Sequence, residues 1–178
     1  MSLSATNINL KSCGLSTLSF KKTVQIELLC PEIKKLSMAK ECVDRFLPRL
    51  KKFTSASLQE FKPEKNGDAL YKVAKDSEEI LKRIDEKDFL VALDEKGKKF
   101  STREFSSKIE NVQIEAAHRK IIFLIGGPYG LSDEIRTRAD LMVSLSPMTF
   151  NSEIAIVVLM EQIYRIYSVI VGHPYHND

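Results

Sequence analysis

Ile121-Ile122-Phe123-Leu124-Ile125-Gly126-Gly127-Pro128-Tyr129-Gly130-Leu131-Ser132 decides the fold class of this chain. Five consecutive apolar residues bounded by glycine and proline predict a buried strand, because the run is too short for a helix. Gly126, Gly127 and Gly130 permit turns and close approaches that a side chain forbids. Ser132 is placed to cap a following helix, with Asp133 and Glu134 against its positive end. Strand, glycine turn and capped helix in succession form a frequent ligand-binding edge of α/β proteins. The glycines alone are equally compatible with an ordinary tight turn.

Outward from this stretch the chain alternates strand and helix. Residues 23–29 predict a first strand, punctuated by Pro31, and Ile33, Leu36, Val43, Phe46 and Leu47 follow at helical spacing until Pro48, which is expected to end that helix. A weaker strand over 56–61 precedes an amphipathic helix marked by Leu70, Val73, Ala74, Ser77, Ile80, Leu81 and Ile84. Residues 89–93 predict a short buried strand leaving through 94–99, a charged turn centred on Gly97. Ser101-Thr102-Arg103-Glu104 matches a capping box and starts a third helix toward His118. After a short helix from Asp133 come a strand over 141–145, a loop over 147–151 and a long helix over 153–171, ended by Gly172 and Pro174. The alternation implies an α/β fold, a mostly parallel sheet with helices on both faces.

Composition narrows the function classes. With 178 residues, 43% of them hydrophobic and 29% charged, the chain suits one domain over 23–178. Residues 1–22 hold no acidic side chain and no sustained period, and read as a flexible N-terminal extension. They lack the compact apolar region of a secretory signal; their serine-rich, acid-free composition also fits a transit peptide, against which the absence of arginine before Arg45 counts, or a misplaced start site. The longest apolar stretch, 154–160, lies between Glu153 and Glu161 and falls far short of the ~20 residues of a membrane span. Three cysteines without C-x-x-C spacing fit free thiols in a reducing compartment, hence the cytoplasm. His118, His173 and His176 show no metal-ligand spacing, so no metal is expected. The net charge of +3 is mild. Clustered Lys34, Lys35, Lys40, Arg45, Arg49, Lys51 and Lys52 suit phosphate contacts, but charge alone favours a solvated helix face.

Three loops at strand ends, 93–98, 126–130 and 145–150, are expected to converge on one pocket. The G-G-P-x-G spacing departs from a dinucleotide fingerprint, and no G-K-S/T follows as in a P-loop.

Four motifs then stand in order: Ile125-Gly126-Gly127-Pro128-Tyr129-Gly130-Leu131, Leu145-Ser146-Pro147-Met148-Thr149-Phe150, Val157-Val158-Leu159-Met160-Glu161-Gln162-Ile163-Tyr164-Arg165 and His173-Pro174-Tyr175-His176. In this order the chain resembles the RlmH family of SPOUT-class methyltransferases. The resemblance runs over 23–178, is strongest after Ile121, and is absent from 1–22. It implies a trefoil-knotted C-terminal half, S-adenosyl-L-methionine as cofactor, a homodimer, and methylation of N3 of a pseudouridine in large-subunit ribosomal RNA, free or in the assembled ribosome. The cofactor positions it implies are Leu93, Gly126, Leu145, Ser146, Pro147, Met148, Thr149 and Phe150. Loop amides and carbonyls there suit an adenine edge, and Leu93, Leu145 and Met148 suit apolar walls, although plain core packing would explain Leu145 and Met148 as well. Tyr175 and His176 are implied to shape the acceptor site across the dimer interface. Glu161 and Arg165, four apart on a helix, read as a structural ion pair.

The sequence also departs from the family. Where the family has Pro, His and, four residues after that His, Arg, this chain holds Asn151, Ser152 and Ile156, and it ends Tyr175-His176-Asn177-Asp178 rather than on a cation. Cys30-Pro31 replaces an early glycine. Two rivals therefore accompany the methyltransferase reading: a catalytically weakened homologue acting as an RNA-binding or ribosome-assembly protein, and methyl transfer to another RNA target. The final helix is apolar around much of its circumference, so part of it is expected to meet a second subunit.

Overall fold

The computed structural model describes residues 24–115 and 119–175. The expected extension over 1–22, His118 and His176 lie outside the described residues. Five strands and five helices alternate: β1 (Gln25–Pro31), α1 (Ser37–Leu50), β2 (Ala56–Phe61), α2 (Ala69–Leu81), β3 (Phe89–Lys98), α3 (Thr102–Glu115), β4 (Lys120–Leu124), α4 (Asp133–Arg138), β5 (Leu141–Val143) and α5 (Ser152–Ile170). The strands form one all-parallel sheet in the order β2-β1-β4-β3-β5. The expected α/β class is what the chain adopts.

The opening apolar run becomes β4, an inner strand between β1 and β3. A strand covered on both faces needs an apolar residue at every position, which is why the run does not alternate. Ile121 and Phe123 face a core shared with α1, α3 and α5, whereas Ile122 and Leu124 face Ile80 of α2 and Ile135 of α4. Helices thus cover both faces. The apolar circumference of α5 is largely taken up within the chain, since Ile156, Leu159, Met160, Ile163, Tyr164, Ile166 and Tyr167 are all buried. Val157, Val158 and Ile170 remain partly exposed.

β5 ends at Val143 rather than at 145, α2 at Leu81 rather than at Ile84, and three further features differ from the sequence pattern. β1 runs through Pro31, whose register partner is Phe61 of β2, beyond the last β1–β4 pair. α1 starts at Ser37 rather than near Ile33 and continues past Pro48, which falls in its last turns. Pro48 removes one i→i−4 bond, yet the helix continues beyond it, and the Lys51 N–H still reaches the Leu47 carbonyl at 3.0 Å. The third difference matters most: 94–98 is not a free charged turn. Leu93 and Lys98 both pair with Val143, the residues between them bulge out, and the Ser144 N–H donates to the Lys98 carbonyl at 2.9 Å. Gly97 lies so close to β5 that a Cβ there would sit 2.6 Å from the Val143 carbonyl carbon.

Helix starts follow local chemistry where the sequence supplies it. Ser101 and Glu104 form the reciprocal box, with the Ser101 N–H on the Glu104 carboxylate at 2.7 Å and the Glu104 N–H on the Ser101 hydroxyl at 3.3 Å. Ser132, Asp68 and Asn151 cap α4, α2 and α5. At the amino ends of the strands, Lys120 meets Glu27 at 2.9 Å and Asp88 at 3.7 Å, closing that end of the sheet. The carboxyl ends stay open. Among the described residues no helix is long and apolar enough to cross a membrane.

Candidate active site

The three expected loops do converge. The carboxyl end of β3, the glycine turn after β4 and the loop after β5 enclose a cleft of about 710 Å³. Leu93, Gly126, Leu145, Ser146, Met148, Thr149 and Phe150 all line it; Pro147 belongs to the same loop, exposed, without lining the cleft. Leu93, Ile125, Leu131 and Val143 give it an apolar floor. Met148 is exposed at the rim and Leu145 is half-buried, so neither is the core residue that packing alone would make of it.

The glycine turn is tightly built. Gly127 and Gly130 face one another, the Gly130 N–H donates to the Gly127 carbonyl at 3.0 Å, and Gly130 has φ +83°, a left-handed conformation that favours glycine. A Cβ on Gly126 would lie 2.7 Å from the Leu131 side chain and 3.0 Å from the Gly130 carbonyl oxygen. A side chain at 126 therefore disturbs the turn itself before it meets any ligand. The loop after β5 is tied internally: the Ser144 hydroxyl donates to the Ser146 carbonyl at 2.9 Å, and the Ser146 hydroxyl accepts the Met148 N–H at 3.0 Å. Thr149 links this loop to the β3 bulge through Glu95, at 2.7 Å.

Several residues of this site were not singled out by the sequence pattern. Asp94 follows Leu93, with its side chain 7% exposed, and accepts Nε of Arg136 at 3.0 Å and the Lys96 N–H at 2.9 Å. Burial works against the Arg136 charge, but Asp94 and Asp133 together hold its pKa above the ordinary arginine value. Asp76 of α2 is buried behind the glycine turn, where a Cβ on Gly127 would meet its Oδ2 at 2.3 Å. Burial raises the Asp76 pKa, although the Glu64 N–H bonded to it opposes the shift. Lys72 sits 5.0 Å over the Tyr129 ring. Glu153, in the first turn of α5, lines the cleft and accepts the Met38 N–H of α1 at 2.8 Å. Each is a non-local relationship, and the only sequence signal was a polar residue beside a predicted strand end or helix start.

Tyr175 is not in this cleft. It packs on the middle of α5, its O–H donating to Glu161 at 3.3 Å, its ring 4.7 Å from that of Tyr164 and 5.0 Å from the Arg165 guanidinium. Glu161 and Arg165 form the expected pair, with 3.0 Å from Nε, and the pair also seats Tyr175. Burial, then the neighbouring Glu161 carboxylate, raises the Tyr175 pKa, so the phenol keeps its proton at neutral pH. His173 lies 5.4 Å from Phe53, also on the α1–α5 side. Ile156, where the family carries arginine, is fully buried in the core beneath α1 and α3.

Burial pushes the Cys30 thiol up to about 12 and raises that of Cys42, so neither is a nucleophile. Among the described residues no group of three His, Cys, Asp or Glu could hold a metal ion.

A family model described as "Predicted SPOUT methyltransferase" matches residues 24–176. Proteins named ribosomal RNA large subunit methyltransferase H are similar over most of the chain. That of Bdellovibrio bacteriovorus is 38% identical over 141 residues, covering 78% of this chain and 90% of that protein. That of Syntrophotalea carbinolica is 35% identical over 156 residues, covering 86% and 99%. The Christiangramia forsetii protein is 39% identical over 126 residues, covering 71% and 80%.

Proposed function

The chain belongs to the SPOUT methyltransferase family, and on that premise we propose that it transfers a methyl group from S-adenosyl-L-methionine to N3 of a pseudouridine in large-subunit ribosomal RNA. The observation that carries this reading is the cleft itself. Leu93, Gly126 and the 145–150 loop, far apart in sequence, line one cavity at the carboxyl edge of a parallel sheet.

The residues present fit the cofactor. An apolar floor and backbone amides suit adenosine, and a volume of about 710 Å³ leaves room for an acceptor base beside it. Acidic Asp94, Glu95 and Glu153 in the lining suit a donor that carries two positive centres. Bound there, the sulfonium supplies an electrophilic methyl group, and alignment of donor and acceptor provides much of the rate. The 145–150 loop holds the adenosine end through its backbone, and the bonds of Ser144, Ser146 and Thr149 keep that loop in shape. Leu93 and Leu131 exclude water from the floor.

Tyr175 donates its hydroxyl proton to Glu161, and we assign it a hydrogen-bonding role rather than that of a base. Since it lies on the middle of α5, away from the cleft of its own chain, we assign it and His176 to the acceptor site of a second subunit in a homodimer. Ile154, Val158 and Val169, partly exposed and outside the core packing, are α5 surface left for that contact. A trefoil-knotted path in the C-terminal half belongs to the same reading and rests on the family match. The 23–178 segment then acts as one methyltransferase unit on cytoplasmic ribosomes.

The test is incubation of ribosomes lacking the mark with the protein and S-adenosyl-L-methionine, followed by mass spectrometry of the large-subunit RNA. One added methyl group on a pseudouridine is the expected result. Ribosome binding without methylation would instead establish the weakened homologue, and methylation elsewhere would establish another RNA target.

A further inference from the structure

On the reading that the cleft holds S-adenosyl-L-methionine, we propose that Arg136 receives the α-carboxylate at the amino-acid end of the donor. Arg136 lines the cleft from α4, on the sheet face opposite α5. Its Nε is fixed to Asp94 Oδ2 at 3.0 Å, and Asp94 is itself enclosed and tied to the Lys96 N–H. Nη1 reaches Asp133 at 3.1 Å, but the Asp133 side chain is fully exposed. An ion pair in water is weak and gives way to a better partner. Nη2 has no hydrogen-bond partner among the described residues. The guanidinium is thus anchored at one nitrogen by an enclosed carboxylate, with its remaining edge available. A planar fork held in this way suits the two oxygens of a carboxylate.

The charges of the cleft support the same assignment. Glu95 is engaged with Thr149, and Glu153 with the first amides of α1. Lys96, the other lining cation, is exposed, whereas Arg136 has a fixed orientation. A donor with two cationic centres and one anionic group needs a positive partner for that group. Arg136 stands beside the glycine turn, while the 145–150 loop leads from β5 toward α5 on the other face. Adenosine on that loop and carboxylate on Arg136 would place the sulfonium between them, over the strand ends.

The test compares two ligands sharing the adenosine thioether, only one of which has the amino acid: S-adenosylhomocysteine and methylthioadenosine. Calorimetry on the unaltered protein, Arg136→Gln and Arg136→Lys gives the affinities, and thermal unfolding checks that each variant is folded. Arg136→Gln is expected to weaken S-adenosylhomocysteine about tenfold to a hundredfold, as loss of a charged hydrogen bond does, and to leave methylthioadenosine within about twofold. Arg136→Lys should fall between. Equal losses for both ligands would overturn the proposal, because Arg136 would then act on the shape of the cleft. Unchanged binding of both, with weaker RNA binding, would overturn it in favour of a phosphate contact. If the unaltered protein binds neither ligand, the cofactor reading fails, and this proposal with it.

Discussion

Glu153, at the start of α5, is the cap of α1. Its Oε1 accepts the Met38 N–H at 2.8 Å and the Ala39 N–H at 3.4 Å, across more than a hundred residues of sequence. The local N-cap position of α1 is Leu36, which has no side-chain acceptor, so the orphan amides depend on another helix. The carboxylate also complements the positive end of the α1 dipole. Glu153→Ala should cost about 1–2 kcal/mol, as removal of a good cap does, and Glu153→Gln distinctly less. Urea denaturation of the two variants measures the difference.

Gly97 is the second point at which distant segments depend on one atom. Methyl hydrogens at this position would press on the Val143 backbone, which cannot swing away as the end of a side chain can. Gly97→Ala is expected to destabilise by about 2–3 kcal/mol, the range of overpacking. Lys96→Ala, one residue away and exposed, should stay within about 0.5 kcal/mol. Equal stability of the two variants would contradict the close approach.

Asp76 gives a pH dependence of definite sign. Its folded pKa is raised above the ordinary aspartate value, chiefly by burial. The folded state therefore holds the proton more tightly than the unfolded state, and this group's contribution falls as pH rises through the raised pKa. Asp76→Asn keeps an oxygen for the Glu64 N–H and carries no charge. The variant should match the unaltered protein below the unfolded pKa and equal or exceed it at neutral pH. Unfolding midpoints across that range test this; a variant less stable only at neutral pH would reverse the sign.

Placing the family arginine at 156 should cost stability rather than strengthen RNA binding. Ile156 is fully buried among α1, α3 and α5, and an unpaired charge there would be taken out of water. Ile156→Arg is expected to cost at least about 3 kcal/mol, comparable with stranding a buried charge. Calorimetric unfolding reads the loss directly. A stable Ile156→Arg variant with tighter RNA binding would show that the site opens to solvent more easily than the packing indicates.

What the sequence made legible was local. The span of β2, the Ser101–Glu104 box and the Ser132 cap depend on neighbours a few residues away, and each appears as expected. The three-loop cleft was legible because strand ends in a parallel sheet share one edge. Apart from Pro48, the missed features belong to partners far along the chain. Asp94 to Lys98 reads as a charged turn until Val143 arrives to pair with it. Asp76 and Arg136 look like helix surface until the glycine turn and Asp94 enclose them. Pro48 misled because the loss of one backbone bond did not end a helix that continues to Leu50.

The two margins of the sheet are unequal. β5 contributes only three residues and meets an irregular register with β3, so it offers an incoming extended chain almost no regular template. β2 has six residues along the opposite rim. There the guards are chemical rather than geometric: Glu60 is exposed near the end of the strand, and Lys62 and Pro63 follow directly. Such residues discourage edge-to-edge growth. Resistance of this chain to strand-mediated aggregation therefore rests on a few residues at the β2 rim, about as far from the cleft as the sheet extends.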